Sequence, residues 1–289
     1  SAERLSFASR ILRGTGLFLC GDLYHTLAPV ILKDDDGEVA FAPLPYAEPG
    51  KVREALSADV HTHEEAERVL SDFLLRQMGH AARKVAIAHE FVAGGSASDS
   101  ERPLSIGGTD LIGADIFAPY NYTALGHLHG PQQAGGKENV RYSGSLLKYS
   151  FSEATQKKGV IVGEIDGAGQ VKTEFISLSP RHDVRIIKGF FDDLIKGESE
   201  DFLMAELLDE GPVIDAMARL RQKYPRMMTI QSHRRMNSGS GERSFDLMKK
   251  VDPLDMFRVF YKEFQDKEFT EEEEDYMKEL WDDLRKEDD

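Results

Sequence analysis

Tyr122-Thr-Ala-Leu-Gly-His-Leu-His129 is a short apolar run that stops at a glycine and then presents two histidines. The run predicts a buried strand that ends at Gly126. His127 and His129 are two residues apart, so their imidazoles point the same way if the backbone stays extended. Neutral imidazole is a common ligand for zinc, manganese and iron. Taken alone, the pattern indicates a metal site or an ordinary polar loop with equal weight.

A third histidine ends another apolar run, Arg83-Lys-Val-Ala-Ile-Ala-His89, which predicts a second buried strand. A helix is predicted upstream, because Thr62-His-Glu-Glu65 is a capping box followed by apolar residues at helical spacing. A helix followed by an apolar strand favours an α/β layer, and sites in such sheets lie at the carboxyl ends of strands. His89 is therefore a candidate ligand, although a lone histidine is more often structural. His61 and His63 flank the helix cap and are expected to be solvated, with no functional role.

The order of the remaining predicted elements indicates how the chain is divided. Strands are expected at Leu17–Cys20, at Val30–Lys33 and over residues 38–44, and a hairpin is expected over residues 159–178. The chain thus passes from alternating helix and strand to successive strands, which predicts an α/β fold with two layers of sheet and helices outside.

The pattern of predicted elements changes near Ser179-Pro180. Beyond it, strands over residues 184–188, 201–208 and 227–231, with a helix from Gly211-Pro212 to Pro225, predict a small α+β module. The predicted domains are residues 1–180, 181–250 and 251–289, the last one formed by two amphipathic helices.

Composition limits the class of protein. The chain has 289 residues, 40% of them hydrophobic, and a single cysteine, Cys20, so no disulfide framework exists and a cytoplasmic location is expected. No apolar run approaches the roughly 20 residues of a membrane helix, and no signal peptide is visible. The net charge is −15, which argues against non-specific coating of nucleic acid. Residues 216–250 nevertheless hold 9 bases against 2 acids, and residues 265–289 hold 13 acids against 4 bases.

Several motifs together resemble one family. They are Ala88-His-Glu-Phe-Val-Ala-Gly-Gly95, Asp99-Ser-Glu-Arg102, the run from Tyr122 to His129, Arg141-Tyr-Ser-Gly-Ser145 and Lys148-Tyr-Ser-Phe-Ser-Glu153. They resemble the SbcD subunits of bacterial SbcC–SbcD nucleases, which are calcineurin-like metallophosphoesterases. The resemblance implies a two-layer sandwich of sheets flanked by helices, with a small α+β domain that caps DNA. It also implies two manganese ions, with His89, His127 and His129 among the ligands.

The sequence departs from the family at its start. The family's first three metal motifs, Asp-x-His, Gly-Asp-x-x-Asp and Gly-Asn-His-Asp, are absent. Residues 1–13 predict a helix with no preceding start signal, so we expect the natural protein to continue before residue 1. Three histidines are too few for two metal ions. We therefore expect this chain alone to bind metal weakly and to hydrolyse little DNA.

The resemblance implies a double-strand 3′–5′ exonuclease and single-strand endonuclease that acts in DNA repair and recombination. The implied partners are DNA and an SbcC-type ATPase, with a homodimer of the subunit inside a heterotetramer. Candidate DNA contacts are Arg141, Lys148, Arg234 and Arg235. The helices beyond Asp252 either dock the ATPase or cover the domain's own core. Two alternatives stay open: another calcineurin-like phosphoesterase that acts on small phosphoesters, and a non-catalytic remnant that binds DNA or a partner.

Overall fold

The computed structural model describes residues 9–101, 111–209 and 211–232, together with residues 270, 273, 276 and 277. Within these ranges the protein is a mixed α/β structure with several sheets and few helices, which confirms the predicted class. None of the described helices has the length and apolar character that a membrane span requires.

The described strands are β1 (Val30–Asp34), β2 (Gly37–Leu44), β3 (Arg83–His89), β4 (Phe91–Val92), β5 (Leu111–Ile112), β6 (Tyr122–Gly126), β7 (Gln132–Ala134), β8 (Lys137–Tyr142), β9 (Gly159–Ile165), β10 (Val171–Ser177), β11 (Val184–Gly189), β12 (Phe202–Leu207) and β13 (Met227–Ser232). The described α-helices are α1 (Ser9–Arg13), α2 (Pro49–Leu56), α3 (His63–Gln77), α4 (Phe191–Leu194) and α5 (Ala216–Arg221). Single 3₁₀ turns cover Ala114–Phe117 and Phe151–Glu153.

The main sheet has six strands in the order β1-β2-β3-β6-β8-β7. Its four central strands are parallel, and the two outer strands run antiparallel to their neighbours. The carboxyl ends of β2, β3, β6 and β8 consequently meet at one edge of the sheet. This is the edge at which parallel sheets place their binding sites.

The hydrophobic core lies between the main sheet and helices α2 and α3. Alternate residues of the central strands point toward the helices, so Ala86 and Ala88 are buried while Ile87 on the other face is 49% exposed. Leu70 and Leu74 of α3 are fully buried in the same cluster. The two alanines remove bulk from the sheet face, which allows the helix to pack closely against it.

Helix α3 begins at the capping box that the sequence predicts. The Thr62 hydroxyl accepts a hydrogen bond from the Glu65 backbone N–H, and the Glu65 carboxylate accepts one from the Thr62 backbone N–H. These reciprocal contacts satisfy two of the backbone groups that a helix start leaves unpaired.

The β9–β10 hairpin is a separate two-stranded sheet that touches the main sheet through side chains. Arg141 of β8 donates to the Thr173 hydroxyl at 2.8 Å, and the Asn121 amide donates to the Gly169 carbonyl at 2.9 Å. The predicted hairpin is thus confirmed. The two-layer calcineurin-like sandwich stays a prediction.

Strands β11, β12 and β13 form a parallel sheet of three strands, with α4 and α5 as the crossover helices. Its own core contains Phe191, Leu203, Leu220 and Met227. The segment over residues 201–208, predicted as a strand, contains strand β12. The module combines helices and strands as predicted, with one more short helix than expected, but its helices connect parallel strands, so it is α/β rather than α+β.

Two predicted elements are wrong. Leu17–Cys20 is not a strand, and these residues have no regular structure. The helix predicted from Pro212 begins only at Ala216, because the preceding residue Asp215 has a left-handed backbone with φ 51°. A residue in that region interrupts a right-handed helix, so Pro212 lies outside it.

Candidate functional site

His89 and His127 meet at the carboxyl edge of the main sheet. His89 is the last residue of β3 and pairs with Gly126, the last residue of β6. The rings of His89 and His127 have their centroids 5.5 Å apart, at an interplanar angle of 68°. A Cβ at Gly126 would lie 2.8 Å from the Nδ1 atom of His89, so glycine is needed there for the imidazole to fit. The structure therefore brings two of the three candidate histidines together.

Desolvation at this edge lowers the pKa of the His89 imidazole. Its ordinary value is about 6.5, so the ring is neutral at pH 7. Neutral imidazole is the form that binds a metal ion.

The backbone turns sharply at His127. Its φ of 104° lies in a region that residues with a Cβ rarely adopt. The extended backbone that would point His127 and His129 in one direction is therefore absent. Strained residues of this kind cost about 1–3 kcal/mol and cluster at functional sites, which makes His127 a feature that the fold maintains against its local preference.

His129 lies in a separate network of polar side chains. Its Nδ1 atom is 2.8 Å from the Ser100 hydroxyl and 3.0 Å from the Glu153 carboxylate. Its backbone N–H donates to the Glu101 carboxylate at 2.7 Å. The exposed Tyr149 ring lies with its centroid 5.4 Å from that of His129. Two segments that carry the family resemblance, around Asp99–Glu101 and around Lys148–Glu153, thus converge on this histidine.

Glu153 is a fully buried carboxylate with an ammonium partner. The Lys158 Nζ atom lies 2.6 Å from it and is itself almost fully buried. Burial alone would raise the pKa of Glu153, but hydrogen bonds from Lys158, Ser100 and His129 lower it to about 2. The carboxylate is therefore ionised at neutral pH.

A second buried polar cluster lies beneath the His89 strand end. The Nε2 atom of His63 is 2.5 Å from the Glu90 carboxylate, and both side chains are buried. The Tyr142 hydroxyl donates to the Glu90 carbonyl at 2.6 Å. Glu67 of α3 is fully buried beside them, and burial together with the Glu90 charge raises its pKa well above the ordinary value. The expectation that His63 is solvated is wrong, because the helix start packs against the end of β3.

The histidines at the sheet edge are only part of the donor set that a two-manganese centre would need. Two neighbouring imidazoles and a third oriented by a carboxylate suit the nitrogen ligands of such a centre. Within residues 9–101, 111–209 and 211–232, however, no group of three histidine, cysteine, aspartate or glutamate side chains is placed to hold a metal ion. The carboxylate ligands that a manganese pair would need are not found within these ranges.

The candidate DNA contacts have different surroundings. Arg141 is half-buried and donates to Thr173. The Lys148 side chain is 9% exposed, and its ammonium contacts Asp183, the Ala154 carbonyl and the Val184 carbonyl. Arg234 and Arg235 lie outside the described residues. Within the basic segment that precedes them, three arginines are engaged in the protein: Arg219 lies over the Phe191 ring, Arg221 bonds the Met227 carbonyl and Arg226 pairs with Glu200.

One protein-family model matches the chain. Residues 180–264 match SbcD_C, described as the Type 5 capsule protein repressor C-terminal domain. The matched residues include β11, β12 and β13 and exclude His89, His127 and His129. The match supports a relation to SbcD proteins for the small parallel sheet.

Proposed function

We propose that this chain is an SbcD-like subunit of a DNA nuclease that acts with an SbcC-type ATPase in DNA repair and recombination. In this proposal the histidine edge contributes nitrogen ligands to a two-manganese site for phosphodiester hydrolysis. The carboxylate ligands would come from outside the described residues. We also propose that two copies of the subunit form a homodimer and that this homodimer assembles with the ATPase into a heterotetramer.

The match of residues 180–264 to the SbcD_C model supports this assignment most directly. Lys148, in the loop after β8, connects the main sheet to the small sheet. It donates hydrogen bonds to the Asp183 carboxylate and to the Val184 carbonyl at the start of β11. That loop is the one whose residues surround His129. The module related to SbcD proteins is therefore tied to the candidate site rather than carried on a free linker.

If bound, a pair of manganese ions would supply an activated water and would stabilise the charge on the scissile phosphate. The protein's own contribution is to hold imidazoles in fixed positions. Gly126 leaves room for His89, the turn at His127 sets the direction of its ring, and Glu153 orients His129.

Co-purification with the SbcC-type ATPase of the same genome tests the partnership. We expect the chain to elute with the ATPase in gel filtration, and deletion of residues 252–289 to abolish this if the predicted helices dock it. Co-elution that survives the deletion would place the contact elsewhere. No co-elution of the full chain would refute the partnership.

DNA binding is tested by fluorescence anisotropy at several salt concentrations. Each phosphate contact steepens the salt dependence of the binding constant by about one unit, so removing the charges of Arg234 and Arg235 should weaken binding and flatten the slope. Loss of the Arg226 charge is the matched control, because that side chain pairs with Glu200. An unchanged slope in the Arg234 and Arg235 variant would reject those contacts.

Hydrolysis is tested on the protein purified from its source. We expect manganese-dependent degradation of double-stranded DNA that His127→Ala abolishes. Activity on small phosphodiesters with none on DNA would favour the other phosphoesterase class. DNA binding with neither activity would favour a non-catalytic role.

A further inference from the structure

We infer that Glu153 and Lys158 are positioning residues that hold the neutral imidazole of His129 in a single tautomer, with the proton on Nδ1 and the lone pair on Nε2. The hydrogen-bond geometry stands independently, while the use of that lone pair in hydrolysis rests on the proposed function. Nothing in the family match touches this cluster, because residues 180–264 lie outside it.

The tautomer follows from the partners of Nδ1. Glu153 is an ionised carboxylate, which only accepts hydrogen bonds, and its Oε1 atom is 3.0 Å from Nδ1. The Ser100 hydroxyl also contacts Nδ1, at 2.8 Å. A hydroxyl has one proton to donate, and Ser100 is in close contact with the same Glu153 oxygen. With its proton on the carboxylate, Ser100 presents a lone pair to the ring. Both partners of Nδ1 then accept, so the Nδ1 atom must be the donor.

The charge of Glu153 is maintained inside the protein by Lys158. A buried carboxylate needs a partner to stay ionised. The Lys158 ammonium supplies it, 2.6 Å from the Oε2 atom, and the Tyr149 backbone N–H donates to the same oxygen at 3.3 Å. Hydrogen bonds from charged donors are the shorter and stronger kind. The acceptor that selects the His129 tautomer is therefore fixed in both charge and position.

The same ammonium also fixes the backbone of His129. Lys158 donates to the His129 carbonyl at 2.8 Å and to the Ser145 hydroxyl at 2.9 Å. The Ser145 backbone N–H donates to that carbonyl as well, at 3.0 Å. Ring and backbone of His129 are thus held by one buried ion pair. A carboxylate behind a metal-binding histidine sets the ring orientation and raises its basicity in metalloproteins generally.

Ring nitrogen NMR of the ¹⁵N-labelled full chain without metal tests the tautomer directly. At a pH where the ring is neutral, we expect the ¹⁵N chemical shift of His129 Nδ1 to be that of a protonated ring nitrogen. The chemical shift of Nε2 should be that of an unprotonated ring nitrogen. A difference spectrum against His129→Gln assigns the signals. A wild-type spectrum with the proton on Nε2 would overturn the inference without any variant.

The double variant Glu153→Gln with Lys158→Met tests the cause. Removing both partners avoids an unpaired buried charge, and we expect the two ¹⁵N resonances of His129 to move toward each other as both tautomers become populated. Glu101→Gln is the matched control, because Glu101 bonds the backbone of the same residue and not its ring. Ser100→Ala leaves the charged Glu153 acceptor beside Nδ1 and should keep the proton on Nδ1. An unchanged tautomer in the double variant, with its folding checked by circular dichroism, would overturn the inference.

Manganese titration of the same proteins separates the inference from the proposed function. Loss of a histidine's carboxylate partner lowers metal affinity by about 10- to 100-fold, so weaker binding is expected in the double variant but not in Glu101→Gln. A tautomer change with no manganese binding in any variant would refute the proposed metal site and leave the tautomer assignment standing. If manganese binds but the wild-type ring carries its proton on Nε2, the tautomer assignment would be refuted and the proposed metal site would stand.

Discussion

Glu67 is the side chain whose burial is most costly for its charge. It is fully buried in α3, and neither carboxylate oxygen has a hydrogen-bond partner within the described ranges. Burial, followed by the charge of Glu90, raises its pKa. An uncharged carboxyl is the form that such surroundings favour.

Glu67 should make the stability of the folded protein fall as pH rises above the ordinary glutamate pKa. An exposed glutamate titrates near about pH 4.3, and the folded-state pKa is higher. Between these two values the folded state retains a proton that the unfolded state has lost, so stability falls as pH rises through this window. We expect Glu67→Gln to remove this slope and to be more stable than wild type at pH 7. Urea unfolding at several pH values measures it, with Glu164→Gln at an exposed position as the charge-loss control. Parallel profiles for wild type and Glu67→Gln would contradict the prediction.

At His127 the effect of backbone strain on stability can be measured separately from the effect of losing the imidazole. Glycine adopts a φ of 104° without a steric penalty, although it loses more entropy on folding than alanine does. We expect His127→Gly to be more stable than His127→Ala by about 1 kcal/mol, after that entropy cost. Both variants lose the same imidazole, so each is the other's control. Equal denaturation midpoints would mean that the turn at residue 127 stores no strain.

Single residues were predicted from sequence to different degrees. His89 and His127 were found because an apolar run marks a strand and the strand end marks an edge. His63 and Glu90 were missed because their contact joins a helix start to a strand end 27 positions away. The burial of these two side chains cannot be inferred from the residues next to them in the sequence. The pairing depends on where α3 packs, which only the folded chain determines.

Helix α3 depends on its capping box at the element scale. Thr62→Ala removes the side-chain acceptor for the Glu65 N–H, and loss of such a cap costs about 1 kcal/mol. Thr62→Ser retains the hydroxyl and should stay close to wild type. Thermal unfolding of the two variants measures the difference. The prediction fails if alanine and serine give the same transition temperature.

Elements with a strong local signal were predicted well. The capping box gave α3, the apolar runs gave β3 and β6, and the turn residues gave the β9–β10 hairpin. The prediction failed at Leu17–Cys20, an apolar run that pairs with none of the strands in the described part of the chain. It also failed at Asp215, because no sequence pattern indicated the left-handed backbone of this residue.

At the scale of the whole molecule, Lys148 ties the two sheets together. It contacts Asp183 and two backbone carbonyls from a nearly buried position. Lys148→Met would leave these acceptors unsatisfied, and hydrogen bonds to charged groups contribute about 1.5–3 kcal/mol. We expect a loss of that order in urea unfolding, together with faster proteolysis near residue 180.

The control for this tie is another lysine paired with an acid. Lys196 is 71% exposed and pairs at 2.7 Å with Asp193, which is 68% exposed, and ion pairs between exposed side chains contribute little to stability. Lys196→Met should therefore have little effect on stability or on proteolysis. Equal losses in Lys148→Met and Lys196→Met would show that burial of Lys148 adds nothing.

The architecture of the whole chain was predicted only at the level of class. Alternating helix and strand predicted an α/β protein, and the composition change near residue 180 predicted a second unit. The order of the strands was not predictable, because β3 pairs with β2 and β6 across long connections. Which parallel strands become neighbours is decided by packing between distant segments and not by local pattern.

Parallel pairing in the main sheet has a consequence for how the chain folds. Each central strand pairs with a segment far along the sequence, and the entropy of closing such loops slows folding. The β9–β10 hairpin needs only a short turn, since Ile165 pairs with Val171. We expect the hairpin to form early and the main sheet to form late. The sheet edge that aligns His89 with Gly126 would then be among the last features to appear during refolding.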